Sequence, residues 1–226
     1  MERYVDAQSY PFPYNGDLRP ENTAFLVIDM QVDFCGYDGW CDILGVDMDF
    51  MRSPIKGAVK VLEAARRKNY PVIYTREGHR PDGSDLTEVK RFRSRRMGPG
   101  IGDDGKLGRN LVRGEPGWEI IPELTPHAGD PIVDKAGSGA FYGTELEHML
   151  RRRKIQNLVI FGVTTEVCVN TTLREASDRG FDNLLLEDCC AATVPELHKA
   201  AIEIVRSPDS IFGTVSVSEK LIAAIQ

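Results

Sequence analysis

Short apolar runs recur along the chain at 23–30 (TAFLVIDM), 71–77 (PVIYTRE), 130–135 (DPIVDK), 157–163 (NLVIFGV) and 183–188 (NLLLED), and a more alternating one lies at 211–217 (IFGTVSV). Unbroken apolar stretches of this length predict parallel strands covered on both faces. Between them apolar residues fall at helical spacing: Ile55, Val59, Leu62 and Ala65, with Ser53 as N-cap and Pro54 in the first turn; Leu146, Met149 and Leu150; Val169, Leu173 and Ala176; Leu197, Ala201, Ile204 and Val205. Repeated β-then-α alternation specifies an α/β fold, a mostly parallel sheet between two helix layers with right-handed crossovers. In such a three-layer αβα sandwich, ligands bind beyond the carboxyl ends of the strands.

Two regions lack a period. Residues 1–22 are polar and proline-rich and read as an extended arm lying on the surface or across a subunit partner. Residues 78–128 hold many Gly and Pro and read as an irregular insertion in one domain spanning 23–226. A chain of 226 residues, 42% hydrophobic and 27% charged, fits a single globular domain. A net charge of −6 argues against a nucleic-acid surface despite the basic runs 91–96 and 151–154, and favours a small-molecule partner. No apolar run approaches a membrane span and the start shows no signal segment, so the expectation is a cytoplasmic protein with no membrane partner. Five irregularly spaced cysteines, Cys35, Cys41, Cys168, Cys189 and Cys190, read as reduced thiols. Neither glycine-rich phosphate fingerprint occurs, and no cofactor is expected.

Three reactive residues fall at strand ends: Asp29 after the first run, Lys135 after the third, and Cys168 one short turn after the fourth. Each alone has a plainer reading as a cap, a solvated amine or apolar filling. Together they form a catalytic set, because a helix N-terminus favours a thiolate, a carboxylate can take the thiol proton and an ammonium can stabilise both anion and oxyanion. The backbone N–H of Cys168 with one from the Gly162–Thr165 turn, at Val163 or Thr164, would form an oxyanion hole.

The stretches VIDMQVDF (27–34), DKAGSGAFYGTEL (134–146) and GVTTEVCVNTTLREASDRGF (162–181) resemble the isochorismatase-like cysteine hydrolases over roughly 23–217. The resemblance implies a six-stranded parallel sheet of Rossmann-type topology, an Asp29–Lys135–Cys168 triad, hydrolysis through a thioester, a cis peptide at Val163–Thr164 and a homotetramer. Relatives of the nicotinamidase branch carry an Asp and two His as metal ligands. Here Glu77 and His79 are present and the second His is missing, so no metal is expected, with a Glu77, His79 and Asp82 or Asp85 site as the alternative.

The stretches 74–95 and 36–45 resemble biuret hydrolases of cyanuric acid catabolism, which makes the expected reaction biuret to urea-1-carboxylate (allophanate) with release of ammonia. Triuret or ureidoacrylate/N-carbamoyl amide hydrolysis is the alternative, a metal-assisted nicotinamidase stands behind it, and a scaffold or thiol redox sensor is the reading from another class. In the substrate site, Glu77 is expected to accept N–H bonds, with Phe34 and Phe141 as flat walls. The plainer readings are a surface pair of Glu77 with Arg76 or Arg80 and core packing for the two rings. Trp40 and Trp118 are expected at the pocket or a subunit contact.

Overall fold

The computed structural model describes residues 2–226. Strands β1 (Thr23–Ile28), β2 (Val72–Glu77), β5 (Ile132–Lys135), β6 (Asn157–Val163), β7 (Asp182–Ala191) and β8 (Thr214–Ser216) form one sheet in the order β5-β2-β1-β6-β7-β8. Every pairing in it is parallel. The strand order runs outward from β1 to β5, then resumes beside β1 with β6. This reversal opens the crevice between the carboxyl ends of β1 and β6, where doubly wound sheets place their ligands. β1 and β6 are buried at every residue, as strands covered by helices on both faces must be.

The longer helices are α4 (Ile55–Arg67), α7 (Asn170–Asp178), α8 (Pro195–Arg206) and α9 (Ser218–Ile225), with α6 (Leu146–Arg152) between β5 and β6. Short helices α1 (Val32–Cys35), α2 (Trp40–Ile43) and α3 (Met48–Arg52) follow β1. Local chemistry shifts some expected boundaries. Ser53 does not cap α4: its hydroxyl donates to the Phe50 carbonyl at 2.7 Å and closes α3, leaving Pro54 at the cap. In α8 the core face is Ala201, Ile202 and Val205, while the expected Leu197 and Ile204 are exposed. β7 runs on to Ala191, so Cys189 and Cys190 lie within the strand rather than after it.

The N-terminal arm packs on its own chain. Gln8 pairs antiparallel with Val215, Val5 and Phe12 are fully buried, and Tyr10 donates its hydroxyl to Asp182 at 2.6 Å. It therefore covers the β8 edge, which would otherwise offer unpaired backbone groups. The irregular segment holds α5 (Glu88–Arg95) and the hairpin of β3 (Asp104–Gly105) and β4 (Gly108–Arg109). Its anchors are buried: the Leu111 N–H donates to Asp33 at 2.8 Å, and the His79 N–H donates to the Leu111 carbonyl at 2.8 Å.

Gly162 marks the closest approach of β1 and β6. A Cβ there would stand 2.1 Å from the Ile28 carbonyl oxygen, at a φ of +130° that other residues rarely adopt. Gly162→Ala is therefore expected to cost about 3 kcal/mol or more in urea unfolding. A loss below about 1 kcal/mol would mean that β6 can move away from β1.

Candidate active site

Four strand ends converge at the crevice. Glu77 ends β2 and Lys135 ends β5, and parallel register sets the two side by side. Asp29 follows β1 in the left-handed conformation, at φ 48°, which an aspartate tolerates better than most residues and which turns its carboxylate inward. Cys168 lies after β6 in a wide π-type turn, Thr165–Val169, that leads into α7. Such turns recur at functional sites. The Val163–Thr164 peptide that precedes the turn is cis.

The Lys135 ammonium is the hub. Its Nζ lies 2.7 Å from Asp29 Oδ2 and 3.4 Å from Glu77 Oε2, and it donates to the carbonyls of Gly137 and Ser138 at 3.0 and 2.9 Å. The Cys168 thiol donates to Glu77 Oε2 at 3.1 Å. One ligand atom each from Asp29, Glu77 and Cys168 falls within a 4.8 Å cluster, and all three residues are buried. The neighbouring ammonium supplies the positive charge such a cluster requires.

A second layer fixes these groups. Thr75 donates its hydroxyl to Asp29 Oδ1 at 2.6 Å and accepts from the Asp29 N–H at 3.1 Å. Gln31 holds the end of β2, accepting from the Glu77 N–H at 2.7 Å and donating to the carbonyls of Glu77 and Trp118 at 2.9 and 2.8 Å. Lys90, on α5, donates to Glu77 Oε1 and to the Ala136 carbonyl, both at 2.6 Å. Glu77 is thus bound to two lysines and a thiol, not to Arg76, whose guanidinium pairs with Asp134 and Glu119.

The charges are strongly perturbed. Burial raises the Asp29 carboxyl above its usual range; Lys135 opposes this and the Glu77 charge adds to it. Burial would also raise Glu77, but Lys135 and Lys90 outweigh it and hold that carboxyl down to about 2. Burial lowers the Lys135 ammonium less than Asp29, Cys168 and Glu77 raise it. For Cys168, burial and the two carboxylates override Lys135 and push the thiol well above its ordinary value. Burial beside two carboxylates in the π-type turn thus works against the thiolate that a helix N-terminus favours.

A cavity of about 600 Å³ opens onto Cys168. Glu77, Phe34 and Trp40 line it, as do Thr164 and Lys90. Val163 does not line it: it is fully buried in β6, paired with Ala191. Phe141 is also turned away from the expected wall. Its ring packs 5.9 Å from that of Phe181 and under the Arg179 guanidinium, while its N–H donates to Glu175. Trp118 lies under Arg76, whose guanidinium is 3.5 Å from the ring centroid. His79 is committed to Asp85 at 3.2 Å, and among the described residues it joins no cluster with Glu77, Asp82 and Asp85 that could hold a metal ion. All five cysteines are free.

Sequence reasoning missed Lys90, Thr75 and Gln31. Lys90 stands immediately before the basic run 91–96, inside the segment that reads as an irregular insertion; the available signal was Thr87, an N-cap whose hydroxyl accepts from the Lys90 N–H at 3.3 Å and starts an amphipathic α5. Gln31 stands inside the VIDMQVDF stretch, where a polar residue between apolar ones is a sign of buried hydrogen bonding.

The same arrangement of strands recurs in solved structures. A cysteine hydrolase from Pseudomonas syringae pv. phaseolicola superposes with a TM-score of 0.77 at 28% identity, covering 92% of this chain and 94% of that one. The N-carbamoylsarcosine amidase from Thermoplasma acidophilum superposes at 0.65 with 27% identity, over 88% of this chain and 97% of that one. In sequence, the chain is 31% identical to the ureidoacrylate amidohydrolase of Acinetobacter baylyi, over 92% of this chain and 86% of that protein. The isochorismatase domain model matches residues 23–220, from the start of β1 into α9, and the chain belongs to the isochorismatase family.

Proposed function

We propose that this chain, a hydrolase of the isochorismatase family, cleaves the terminal amide C–N bond of a carbamoyl or ureido compound through a thioester on Cys168, with substrates of the ureidoacrylate type ahead of biuret and triuret. The observation that carries the reading is the meeting of thiol, ammonium and two carboxylates in one buried cluster beside a cavity of about 600 Å³. Relatives named for ureidoacrylate move the preference away from biuret, which the 36–45 and 74–95 stretches suggested.

Asp29 is the proton carrier in this reading. Its Oδ2 contacts Lys135 at 2.7 Å without hydrogen-bond alignment, which leaves a lone pair open, and its raised pKa suits it to accept and return a proton. Glu77, held near 2, is too weak a base for a thiol and instead accepts an N–H of the substrate amide. When that N–H takes the place of the thiol at Glu77, the Cys168 proton passes to Asp29 and the thiolate attacks the carbonyl carbon. The oxyanion forms beside the Lys135 ammonium and the backbone N–H of Cys168. Asp29 protonates the departing nitrogen, ammonia leaves, and a water deprotonated by the same carboxylate cleaves the thioester to a carbamic acid and free thiol.

Ammonia release from ureidoacrylate separates the two carboxylates. Asp29→Asn is expected to lower kcat by about 10³-fold, whereas Glu77→Gln, which keeps an acceptor oxygen, acts mainly on KM by about tenfold. The acid limb of kcat/KM lies above the ordinary aspartate value of 3.8, because a raised carboxyl gains its proton, and ceases to be a base, at a higher pH. Equal kcat losses in the two variants would make Glu77 the base and overturn the assignment.

A further inference from the structure

We infer that the substrate carries an apolar body several carbons long beyond its carbamoyl group, and that the cavity selects for that body. The inference rests on the reading of Cys168 as the nucleophile and adds the class of group attached to the reacting end. Away from the charged cluster, the walls are Phe34, Trp40, Leu44, Ile101 and Leu111, with Met97 and Leu197 exposed towards the mouth. Phe34 and Trp40 brace each other edge to face at 6.3 Å, so these walls are set before any ligand arrives.

Apart from the exposed guanidinium of Arg93, the polar groups on these walls already have partners. The Trp40 indole donates to the Pro99 carbonyl at 2.7 Å. Ser94 donates to the Arg91 carbonyl and accepts from the Ile101 N–H, both at 3.0 Å. Lys90 is bound to Glu77 and Ala136, and the Thr193 hydroxyl donates to Glu166 Oε1 at 3.0 Å. What remains for a ligand is the exposed Arg93 and, at the reacting end, Glu77, Ser138, Thr164 and the buried Glu166 Oε2, which has no partner. A small ureide, polar on every edge, would leave most of its donors and acceptors facing hydrocarbon in this chamber, at a cost in affinity. A molecule with one carbamoyl end and an apolar body matches the division of the cavity: its N–H groups meet Glu77 and Glu166 while its carbons displace water from the Phe34–Trp40–Leu111 wall.

The test is a series with one reacting end and a growing side chain: N-carbamoyl derivatives of glycine, alanine, norvaline, norleucine and phenylalanine, with ureidoacrylate alongside. Wild-type kcat/KM is expected to rise about fourfold per added methylene from alanine to norleucine. The same series titrated calorimetrically into folded Cys168→Ala reads the chamber without chemistry, and Kd is expected to tighten by a similar factor per methylene. Leu44→Asp, at a half-buried wall position, should lower the norleucine-to-glycine ratio by about tenfold or more. A flat or falling Kd series overturns the proposal, whether or not turnover is seen. A flat series together with a dimer in sedimentation velocity would assign the apolar rim to a second copy instead. Failure of the thioester reading looks different: Cys168→Ala would turn over ureidoacrylate like wild type, with the length dependence of Kd intact.

Discussion

Cys168→Ala protein is expected to release no measurable ammonia from ureidoacrylate, a loss of at least about 10⁴-fold in kcat, while keeping the wild-type unfolding transition to within about 1 kcal/mol. The asymmetry follows from what the side chain does in the fold. Its Sγ makes a hydrogen bond to Glu77, and its removal leaves that carboxylate still paired with Lys90 and Lys135. No buried charge is orphaned, and the space vacated by one sulfur opens onto a cavity that already holds solvent-sized volume. Catalysis, by contrast, has no substitute nucleophile at that point, because the other four thiols lie elsewhere: Cys189 and Cys190 in β7, Cys35 in α1 and Cys41 in α2. Burial raises all four thiols, and Cys41 reaches about 12. Cys168→Ser should fall almost as far, since a hydroxyl is a harder group to ionise beside two carboxylates. Retention of more than about a tenth of the activity in Cys168→Ala would remove the covalent route.

Lys135→Met is expected to have the largest effect on stability, about 3–5 kcal/mol at neutral pH, in addition to abolishing turnover. Lys135 is fully buried between Asp29 and Glu77, and its removal leaves Asp29 with only the Thr75 hydroxyl, whereas Glu77 retains Lys90. A carboxylate isolated in this way is relieved by taking up a proton, so the Asp29 pKa, already raised in the wild type, rises further. A group whose folded pKa lies above its unfolded value favours the folded state most below the unfolded value, and that contribution is lost as the pH rises through the folded one. The deficit of Lys135→Met should therefore shrink as the pH is lowered towards the ordinary aspartate value of 3.8. Adding Asp29→Asn should recover part of the neutral-pH loss, because the two sites share one interaction. Urea titrations at several pH values check both statements, and a deficit independent of pH would mean that Asp29 is not the group left unpaired.

The framework of this molecule was legible because it depends on periodicity. Each apolar run at 23–30, 71–77, 130–135, 157–163 and 183–188 contains or overlaps a strand of the sheet, and Asp29 and Lys135 were found because a charged residue ending an apolar run can point only to the strand end. What lay in aperiodic segments was not legible. Val5 and Phe12 anchor the arm through single buried side chains separated by turns, a pattern with no repeat to detect. Lys90 reaches Glu77 from a helix inside the segment read as irregular, so its role depends on how 78–128 folds back rather than on its neighbours. Phe141 shows the converse. It lies six residues past Lys135 in a stretch that resembles a motif, but the path of that loop turns its ring onto Phe181 and Arg179. Burial of the Cys168 thiol was equally out of reach, because the sequence shows a helix start and not the Glu77 carboxylate that folds directly against it.

The most direct measurement is intact-mass and peptide mass spectrometry of wild-type protein quenched with acid during turnover of ureidoacrylate. The account predicts a covalent increment equal to the substrate less ammonia, confined to the peptide that contains Cys168 and absent from Cys168→Ala. Full turnover by the wild-type protein with no adduct at any quench time would contradict it.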